Sequence, residues 1–277
     1  MNILDSSSCP IKQELSGGRK GAIYRQNNTV IRPLNRWSTT VHLLLNHLQV
    51  RGVTECPKFI TIEGETEILS FIDGDSFNYP LLGAIASDTA LISAARLLRK
   101  LHDASSNFLL SVQADDLNWM LPSIEPQEVI CHGDFTPYNV SLQGEQVVGV
   151  FDFDTAHPAP RVWDLAYSIY CWAPFKTNSV DALGTLTQQI NRAKLFCDAY
   201  GASIEQRHIL VDTMIQRLHA LVSFMENEAK SGNQQFIHNI EQGHHLSYLA
   251  DIEYLKLHHK TISQNVHPLS QTQPPIT

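Results

Sequence analysis

Three oxygen-bearing side chains stand close together in the segment VICHGDFTPYNVSLQGEQVVGVFDFD, which runs from Val129 to Asp154. Asp134 lies five residues before Asn139, and Asn139 lies thirteen residues before Asp152. Carboxylate and amide oxygens suit magnesium, which also takes phosphate oxygens and water as ligands. Phosphoryl transfer needs such a metal and a group that orients the incoming hydroxyl. The pattern therefore predicts that Asp134 orients a hydroxyl and that Asn139 and Asp152 hold a metal.

Short apolar strands around this segment would bring the three side chains together. Val129–Cys131 and Val147–Phe151 are apolar runs bounded by turn residues, which predicts two short buried strands. The HGD triplet and Asp152 then both emerge at strand ends, and a turn at Gly144 allows those ends to meet. The alternative is that the Asp and Asn residues are turn and cap residues, as these types often are.

The first quarter of the chain is typical of a small sheet with one helix. Runs such as TVIRP and TEILSFI alternate with glycine and asparagine turns, which predicts strands. Between them, Val41, Leu44, Leu45 and Leu48 have the spacing of one buried helix face. The pattern predicts a β-rich N-lobe at residues 1–72.

Beyond residue 72 the pattern becomes helical. The segment Ser87–His102 carries a continuous apolar stripe, and residues 162–260 are predicted to form helices with breaks at proline, glycine and polar stretches. The polar, proline-rich residues 261–277 are predicted to be disordered. The expected architecture is α+β and bilobal, with a hinge near residue 72 and a larger helical C-lobe at residues 73–260.

Composition excludes several classes of function. The 277 residues include 20 basic and 28 acidic side chains, a formal charge of −8, whereas nucleic-acid binding needs clustered Lys and Arg. No apolar run reaches the length of a membrane span, and the first residues do not resemble a signal peptide. Five scattered cysteines without zinc or disulfide spacing are predicted to be reduced, and the protein is expected to be cytoplasmic. They are Cys9, Cys56, Cys131, Cys171 and Cys197.

Several motifs together resemble one enzyme family. HGDFTPYN resembles the catalytic loop of the aminoglycoside phosphotransferase family, which is related to choline kinases and more distantly to protein kinases. FDFD resembles its metal-binding segment, LLRKLHD the helix before the loop, and RVWDLAY the helix whose Asp, here Asp164, supports the loop. The resemblance spans roughly Leu15–Lys260. It implies a protein-kinase-like fold and transfer of the γ-phosphoryl group of ATP, with Mg²⁺, to a hydroxyl of a small molecule.

The same resemblance assigns residues in the N-lobe. A glycine-rich loop at Ser16–Gly21 would close over the triphosphate through Gly17, Gly18 and Gly21, although an ordinary hairpin turn explains this short motif equally well. The backbone of Phe71 and Ile72 would meet the adenine.

In the C-lobe, the resemblance gives His132 a structural role through bonds to backbone. Asp154 either supports the metal-binding segment or caps its loop.

One departure from the family concerns the third strand. The family places there a Lys that contacts the phosphates and pairs with a Glu on the next helix, but this chain has Arg32, and Ser38–Gln49 contains no acidic residue. Arg32 can still bind phosphate. Either another group positions Arg32, or nucleotide affinity is low. The second possibility motivates an alternative function, a pseudokinase that binds nucleotide or acts as a scaffold without turnover.

The acceptor and the oligomeric state do not follow from the sequence. Relatives use aminoglycosides, macrolides, choline, homoserine or sugars. A protein kinase is disfavoured, because Thr136 stands where those enzymes usually have Lys. Several acidic residues of the C-terminal third could line a pocket for a cationic acceptor, and ordinary surface charge explains them equally well. They are Glu226, Glu228, Glu241, Asp251 and Glu253.

Overall fold

The computed structural model describes residues 12–15, 22–112 and 117–267. Its first part is a five-stranded antiparallel sheet of order β1-β2-β3-β5-β4 with one helix packed on it. The elements are β1 (Gln13–Glu14), β2 (Tyr24–Gln26), β3 (Thr29–Pro33), α1 (Ser38–Val50), β4 (Phe59–Glu63) and β5 (Thr66–Ser70).

The apolar spacing of this part places its helix and its central strands as predicted. Val41, Leu44, Leu45 and Leu48 of α1 are all buried, so one face of the helix packs into the core. At the centre of the sheet, β3 and β5 pair so that Arg32 lies opposite Glu67. Cross-strand neighbours of this kind contact one another, so two opposite charges meet inside the sheet.

The second part is mainly helical. Its elements are α2 (Asp88–Ser105), α3 (Arg161–Trp172), α4 (Leu186–Tyr200), α5 (Ile204–His208), α6 (Leu210–Lys230), α7 (Gln234–Glu241) and α8 (His244–Asn265). One apolar core runs from α1 through α2 and the later helices. The structure thus confirms a small antiparallel sheet followed by a larger helical part.

Four short strands stand between α2 and α3: β6 (Val129–Cys131), β7 (Val140–Gln143), β8 (Gln146–Val150) and β9 (His157–Ala159). The hairpin that turns at Gly144 joins β7 to β8, while β6 pairs with β9. The Gly144 turn therefore joins β8 to β7 rather than to β6. The β9 strand was not predicted, because its residues HPA have no strand pattern of their own.

A close backbone contact joins the end of the first sheet to β7. Asp75 and Leu142 exchange two backbone hydrogen bonds of 2.9 Å. Gly74 has a φ of +133°, and a Cβ there would lie 2.7 Å from the Leu142 carbonyl oxygen. Only glycine tolerates both the conformation and the approach.

Residues 261–265 are helical, although disorder was predicted to begin at residue 261. Helix α8 continues to Asn265, and both Ile262 and Val266 are fully buried. Arg207 Nη1 donates to the Val266 carbonyl at 2.7 Å. The polar composition of this segment concealed these apolar anchors, which α8 turns inward.

Two further predictions concern the membrane and the cysteines. Among the residues described, no helix is both long and apolar enough to cross a bilayer. Cys56, Cys131, Cys171 and Cys197 are free and buried, and Cys9 lies outside the described residues. Burial raises the pKa of Cys171 to about 12, as expected of packing residues.

Candidate active site

Asp134 and Asn139 are in direct contact in the loop that follows β6. Asn139 Nδ2 donates to the Asp134 carboxylate at 2.8 Å and to the Asp134 carbonyl at 3.0 Å. The Tyr138 hydroxyl donates to the other carboxylate oxygen at 3.0 Å. The short 3₁₀ turn Pro137–Asn139 makes these contacts possible by folding the chain back on Asp134. The carboxylate is thereby held in one orientation.

The environment of Asp134 tunes its proton affinity. Burial, together with the negative charge of Asp152, raises the pKa of Asp134 to about 6. A carboxyl group with such a pKa is ionised at neutral pH and still accepts a proton readily. This is the behaviour required of a general base.

His132 and Gly133 fix the loop from behind. The buried imidazole of His132 lies 3.0 Å from the Phe151 carbonyl oxygen, and its Nδ1 accepts the Asp134 N–H at 3.3 Å. Burial lowers the pKa of His132 to about 4, so the ring is neutral. Gly133 has a φ of +81°, and a Cβ there would lie 2.3 Å from the Thr155 carbonyl oxygen.

Asp164, on α3, supports the same loop. Its carboxylate accepts the His132 N–H at 2.7 Å and the Gly133 N–H at 3.0 Å, and it contacts His102 at 3.1 Å. Burial opposes its ionisation, but the hydrogen bond and the charge of His102 outweigh burial and lower the pKa of Asp164 to about 2. A buried anion therefore holds two successive amides of the HGD turn, as the resemblance implied.

Asp152 lies beside Asn139. The Phe151 N–H donates to the Asn139 carbonyl at 2.9 Å, which keeps the two segments adjacent. Asp152 has a left-handed φ of +65°, unusual for a residue with a side chain and frequent at functional sites. Its side chain is 52% exposed. One carboxylate and one amide oxygen at this position fit the oxygen ligands that magnesium prefers.

Arg32 contacts three carboxylates. Its Nε lies 2.7 Å from Glu67, its Nη1 lies 3.3 Å from Asp152, and its Nη2 lies 2.7 Å from Asp154. Of the two roles considered for Asp154, the contact with Arg32 favours support. Arg32 thus lies at the segment that is predicted to bind a metal, and three negative groups surround its guanidinium.

The partner of Arg32 comes from a strand rather than from the helix. Glu67 is fully buried and also contacts His42 of α1 and the Ser38 hydroxyl. The helix therefore takes part through an imidazole, and the carboxylate comes from the neighbouring strand β5. Glu67 is therefore the group that positions Arg32, a role for which the helix sequence offered no acidic residue.

The nucleotide residues predicted in the N-lobe are placed only in part. Gly17, Gly18 and Gly21 lie outside the described residues. The Phe71 N–H donates to the Asn28 carbonyl at 2.8 Å, so this amide is not available to a base. The predicted contact with adenine then depends on the Phe71 carbonyl and the backbone of Ile72.

A cavity of about 940 Å³ opens beside Asp134. Its volume is at the upper end of the range of small-molecule sites. Its walls combine aromatic, aliphatic and polar side chains, and they carry both the cations Arg217 and Lys176 and carboxylates. Besides Asp134, the walls include Tyr138, Trp163, Tyr167, Tyr170, Phe224, Phe236 and Tyr248.

Three residues of the candidate site were not predicted from the sequence: Glu67, Tyr138 and Arg217. The sequence pattern could have indicated Glu67, because it lies on the same face of its strand as the buried Leu69. A charged side chain on a buried face needs a partner. No sequence pattern indicated Tyr138 or Arg217. Their contacts with Asp134 and Gly133 depend on how the loop folds and on how α6 packs against it.

Comparisons with known proteins indicate a family. Residues 109–200 match the model of the "Phosphotransferase enzyme family". A "Trifolitoxin immunity protein" from Rhizobium leguminosarum bv. trifolii is 32% identical over 210 residues, which cover 73% of this chain and 78% of that protein.

Solved structures share the fold. A choline/ethanolamine kinase family protein from Mesorhizobium loti superposes with a TM-score of 0.61 at 14% identity, covering 94% of both chains. A spectinomycin phosphotransferase in complex with ADP and spectinomycin gives a TM-score of 0.53 at 14% identity, covering 92% of both chains. At such identities the likeness shows the fold alone.

Proposed function

Because the chain belongs to the phosphotransferase enzyme family, we propose that it transfers the γ-phosphoryl group of ATP to a hydroxyl of a small molecule. The observation that carries the proposal is the contact between Asp134 and Asn139, with Asp152 adjacent, at one end of a large cavity. We call this cavity the acceptor pocket.

The chemistry assigns one role to each group. The acceptor hydroxyl oxygen bonds to the γ-phosphorus, the bond from that phosphorus to the β–γ bridging oxygen breaks, and ADP leaves. The hydroxyl proton passes to the Asp134 carboxylate, which Tyr138 and Asn139 hold in place. A base of this kind contributes roughly 10²- to 10⁴-fold to the rate.

Asn139 and Asp152 are the residues that would hold magnesium. The metal, when bound, neutralises charge on the phosphate oxygens. Arg32 lies next to Asp152, and its guanidinium presents donors that suit phosphate oxygens. Glu67 keeps Arg32 directed toward this point from the sheet.

Asp134→Asn tests the proposal. Purified protein is given ATP, Mg²⁺ and a panel of hydroxyl compounds that includes choline, ethanolamine and spectinomycin, after which similar proteins are named. Trifolitoxin, after which a relative is named, is tested beside them. Acceptor-dependent ADP release is expected to fall by roughly 10²- to 10⁴-fold in the variant. Calorimetry is expected to show that nucleotide binding persists, because Asp134 contacts the acceptor rather than the nucleotide.

Asp212→Asn is the matched control, since this exposed carboxylate lies on the surface of α6. Equal turnover in Asp134→Asn and the wild type would contradict the role of Asp134. Nucleotide binding without transfer to any acceptor would support the pseudokinase alternative instead.

A further inference from the structure

Arg217 is a buried cation without an ion-pair partner in the wall of the acceptor pocket. It lies on α6 and is only 5% exposed. Its Nη2 donates to the Gly133 carbonyl at 2.8 Å, and its guanidinium lies 4.5 Å from the Tyr167 ring centroid. Its buried Nε has no hydrogen-bond partner. Across the described ranges, no Asp or Glu forms an ion pair with it.

This arrangement is costly unless something else balances the charge. A buried charge is normally paired or fully hydrogen-bonded, because removing it from water is unfavourable. The carbonyl of Gly133 and the aromatic faces satisfy Arg217 only in part. Asp134 follows Gly133 directly, and its negative charge and the positive charge of Arg217 attract each other. Its two carboxylate oxygens accept hydrogen bonds from Tyr138 and Asn139, however, and within the described residues neither oxygen forms a direct ion pair with the guanidinium.

A second cation lines the same pocket. Lys176 Nζ lies 4.8 Å and 4.6 Å from the ring centroids of Tyr79 and Tyr170, and it has no carboxylate partner in the part of the chain that the structure describes. Its hydrogen-bond partner is the Tyr170 hydroxyl, at 3.3 Å. Two cations therefore border a pocket that aromatic side chains also line.

Two further acidic residues of the pocket, Asp251 and Asp181, form no direct ion pair with Arg217 or Lys176 in the described part of the chain. Asp251 accepts the Tyr170 hydroxyl at 2.6 Å and the backbone and hydroxyl of Thr177 at 2.6 and 2.7 Å, so it braces the wall. Asp181 also lines the pocket, near Lys176 in sequence, and can offset that cation. Among the residues that the structure describes, Arg217 therefore has the neighbouring charge of Asp134 but no direct ion pair.

We propose that the acceptor carries a carboxylate as well as its hydroxyl, with the carboxylate bound to Arg217 and the aromatic walls contacting the body of the molecule. This specificity rests on the proposed function, since it places the hydroxyl at Asp134. Arginine suits the role because its planar fork matches a carboxylate. Of the five acidic residues considered for a cationic acceptor, Asp251 alone lines the pocket within the described residues.

Three matched primary alcohols test this subsite: 4-(hydroxymethyl)benzoate, 4-(hydroxymethyl)benzamide and 4-(aminomethyl)benzyl alcohol. They share an aromatic body and differ in charge. Ligand-observed NMR titration without nucleotide is expected to give a dissociation constant at least about tenfold lower for the benzoate than for the amide, the scale of one charge-assisted hydrogen bond. The amine is expected to bind most weakly. Equal affinity for acid and amide, no detectable binding of the acid, or tighter binding of the amine would overturn the proposal.

Variants separate carboxylate binding from support of the loop. Arg217→Gln is expected to abolish the preference for the benzoate, while Arg217→Lys keeps part of it and Lys176→Gln reduces it less. Arg96→Gln is the matched control, because Arg96 is exposed on α2. If Arg217→Gln weakened all three probes equally, Arg217 would merely hold Gly133, and the proposal would fail.

Different experimental results would refute the kinase activity and the carboxylate subsite. Preference for the benzoate without phosphoryl transfer from ATP would leave the subsite standing and refute the kinase activity. Transfer to the amide and the amine at the same kcat/KM as to the acid would leave the kinase standing and refute the subsite.

Discussion

At the scale of single residues, the positive charge of Arg32 is neutralised by a set of carboxylates that differs from the family pattern. A lysine offers one compact charge, whereas the guanidinium contacts Glu67, Asp152 and Asp154 through three different nitrogens. The buried Glu67 in turn contacts His42. The replacement of Lys by Arg and the replacement of a helix Glu by a strand Glu therefore form one coherent arrangement.

Removing the charge of Glu67 should destabilise the sheet and weaken nucleotide binding. In Glu67→Gln, Arg32 and His42 lose the partner that they share while staying buried. Because Asp152 and Asp154 still contact Arg32, we expect a loss of roughly 2–4 kcal/mol in the free energy of unfolding, measured in urea. Glu63→Gln, at an exposed position of β4, serves as the control and should change stability by less than about 0.5 kcal/mol. Equal effects of the two substitutions would show that the Arg32–Glu67 pair is unimportant.

His157 makes stability depend on pH. Its Nδ1 lies 2.8 Å from the Thr155 carbonyl, and its Nε2 accepts the Trp163 indole N–H at 3.1 Å. A second proton would remove the acceptor. Burial lowers the pKa of His157 to about 4, while an unfolded histidine titrates near 6.5.

Between about pH 6.5 and 4, therefore, the unfolded chain binds a proton that the folded chain does not bind. Stability should fall as the pH falls through this window, by on the order of 3 kcal/mol from this histidine. His157→Gln should flatten the dependence of the unfolding free energy on pH, with His132 still contributing. Superimposable profiles for the variant and the wild type would refute this origin.

At the scale of elements, the catalytic turn is held by contacts from three directions. Asp164 of α3 binds its amides, Arg217 of α6 binds its Gly133 carbonyl, and the turn after β8 lies against it at Thr155. The geometry of the turn is thus determined by neighbouring elements, and any side chain at Gly133 must displace one of them.

Gly133→Ala should reduce activity more than the addition of one methyl group would suggest. The new Cβ would meet the Thr155 carbonyl, so the backbone must shift, and a shift of about 1 Å at a catalytic group can cost roughly 10²-fold in rate. Gly144→Ala is the control: it has a similar positive φ with nothing within 4 Å, so it should lose about 1 kcal/mol of stability and little activity. Acceptor-dependent ADP release and urea unfolding are the measurements. Equal activity of the two variants would contradict the proposed crowding.

At the scale of the whole molecule, the C-terminal helices close one side of the acceptor pocket and belong to the common core. Helix α8 packs on α6, and Ile252, Leu255 and Ile262 are buried in that interface. The last turn of α8, predicted to be disordered, therefore contributes to the stability of the wall that carries Arg217.

Ile262→Ala tests the contribution of this last turn. Deleting a fully buried isoleucine side chain should lower the unfolding free energy by about 2–4 kcal/mol. Leu257→Ala, on the same helix but 78% exposed, should have almost no effect. Thermal or urea unfolding distinguishes the two, and equal stabilities would mean that the turn is dispensable.

Local patterns were sufficient to predict much of the fold. The spacing of Val41, Leu44 and Leu45 gave α1, because helix periodicity is a property of neighbouring residues. The motif HGDFTPYN marked the loop in which Asp134 meets Asn139, because five residues are enough to form that turn. The pairing of β6 with β9 was missed, since strand partners are chosen by tertiary packing.

By itself, the sequence determined the family and the two-part architecture, and it located the segment that we propose carries the chemistry, because these depend on motifs and periodicities within short stretches. The tertiary structure alone decided which carboxylates contact Arg32, that Arg217 of α6 reaches the pocket wall, and that Ile262 and Val266 are buried. Each of these depends on contacts between residues far apart in the chain. Glu67 lies 35 residues from Arg32 and Arg217 lies 84 residues from Gly133, so neither contact leaves a trace in local spacing.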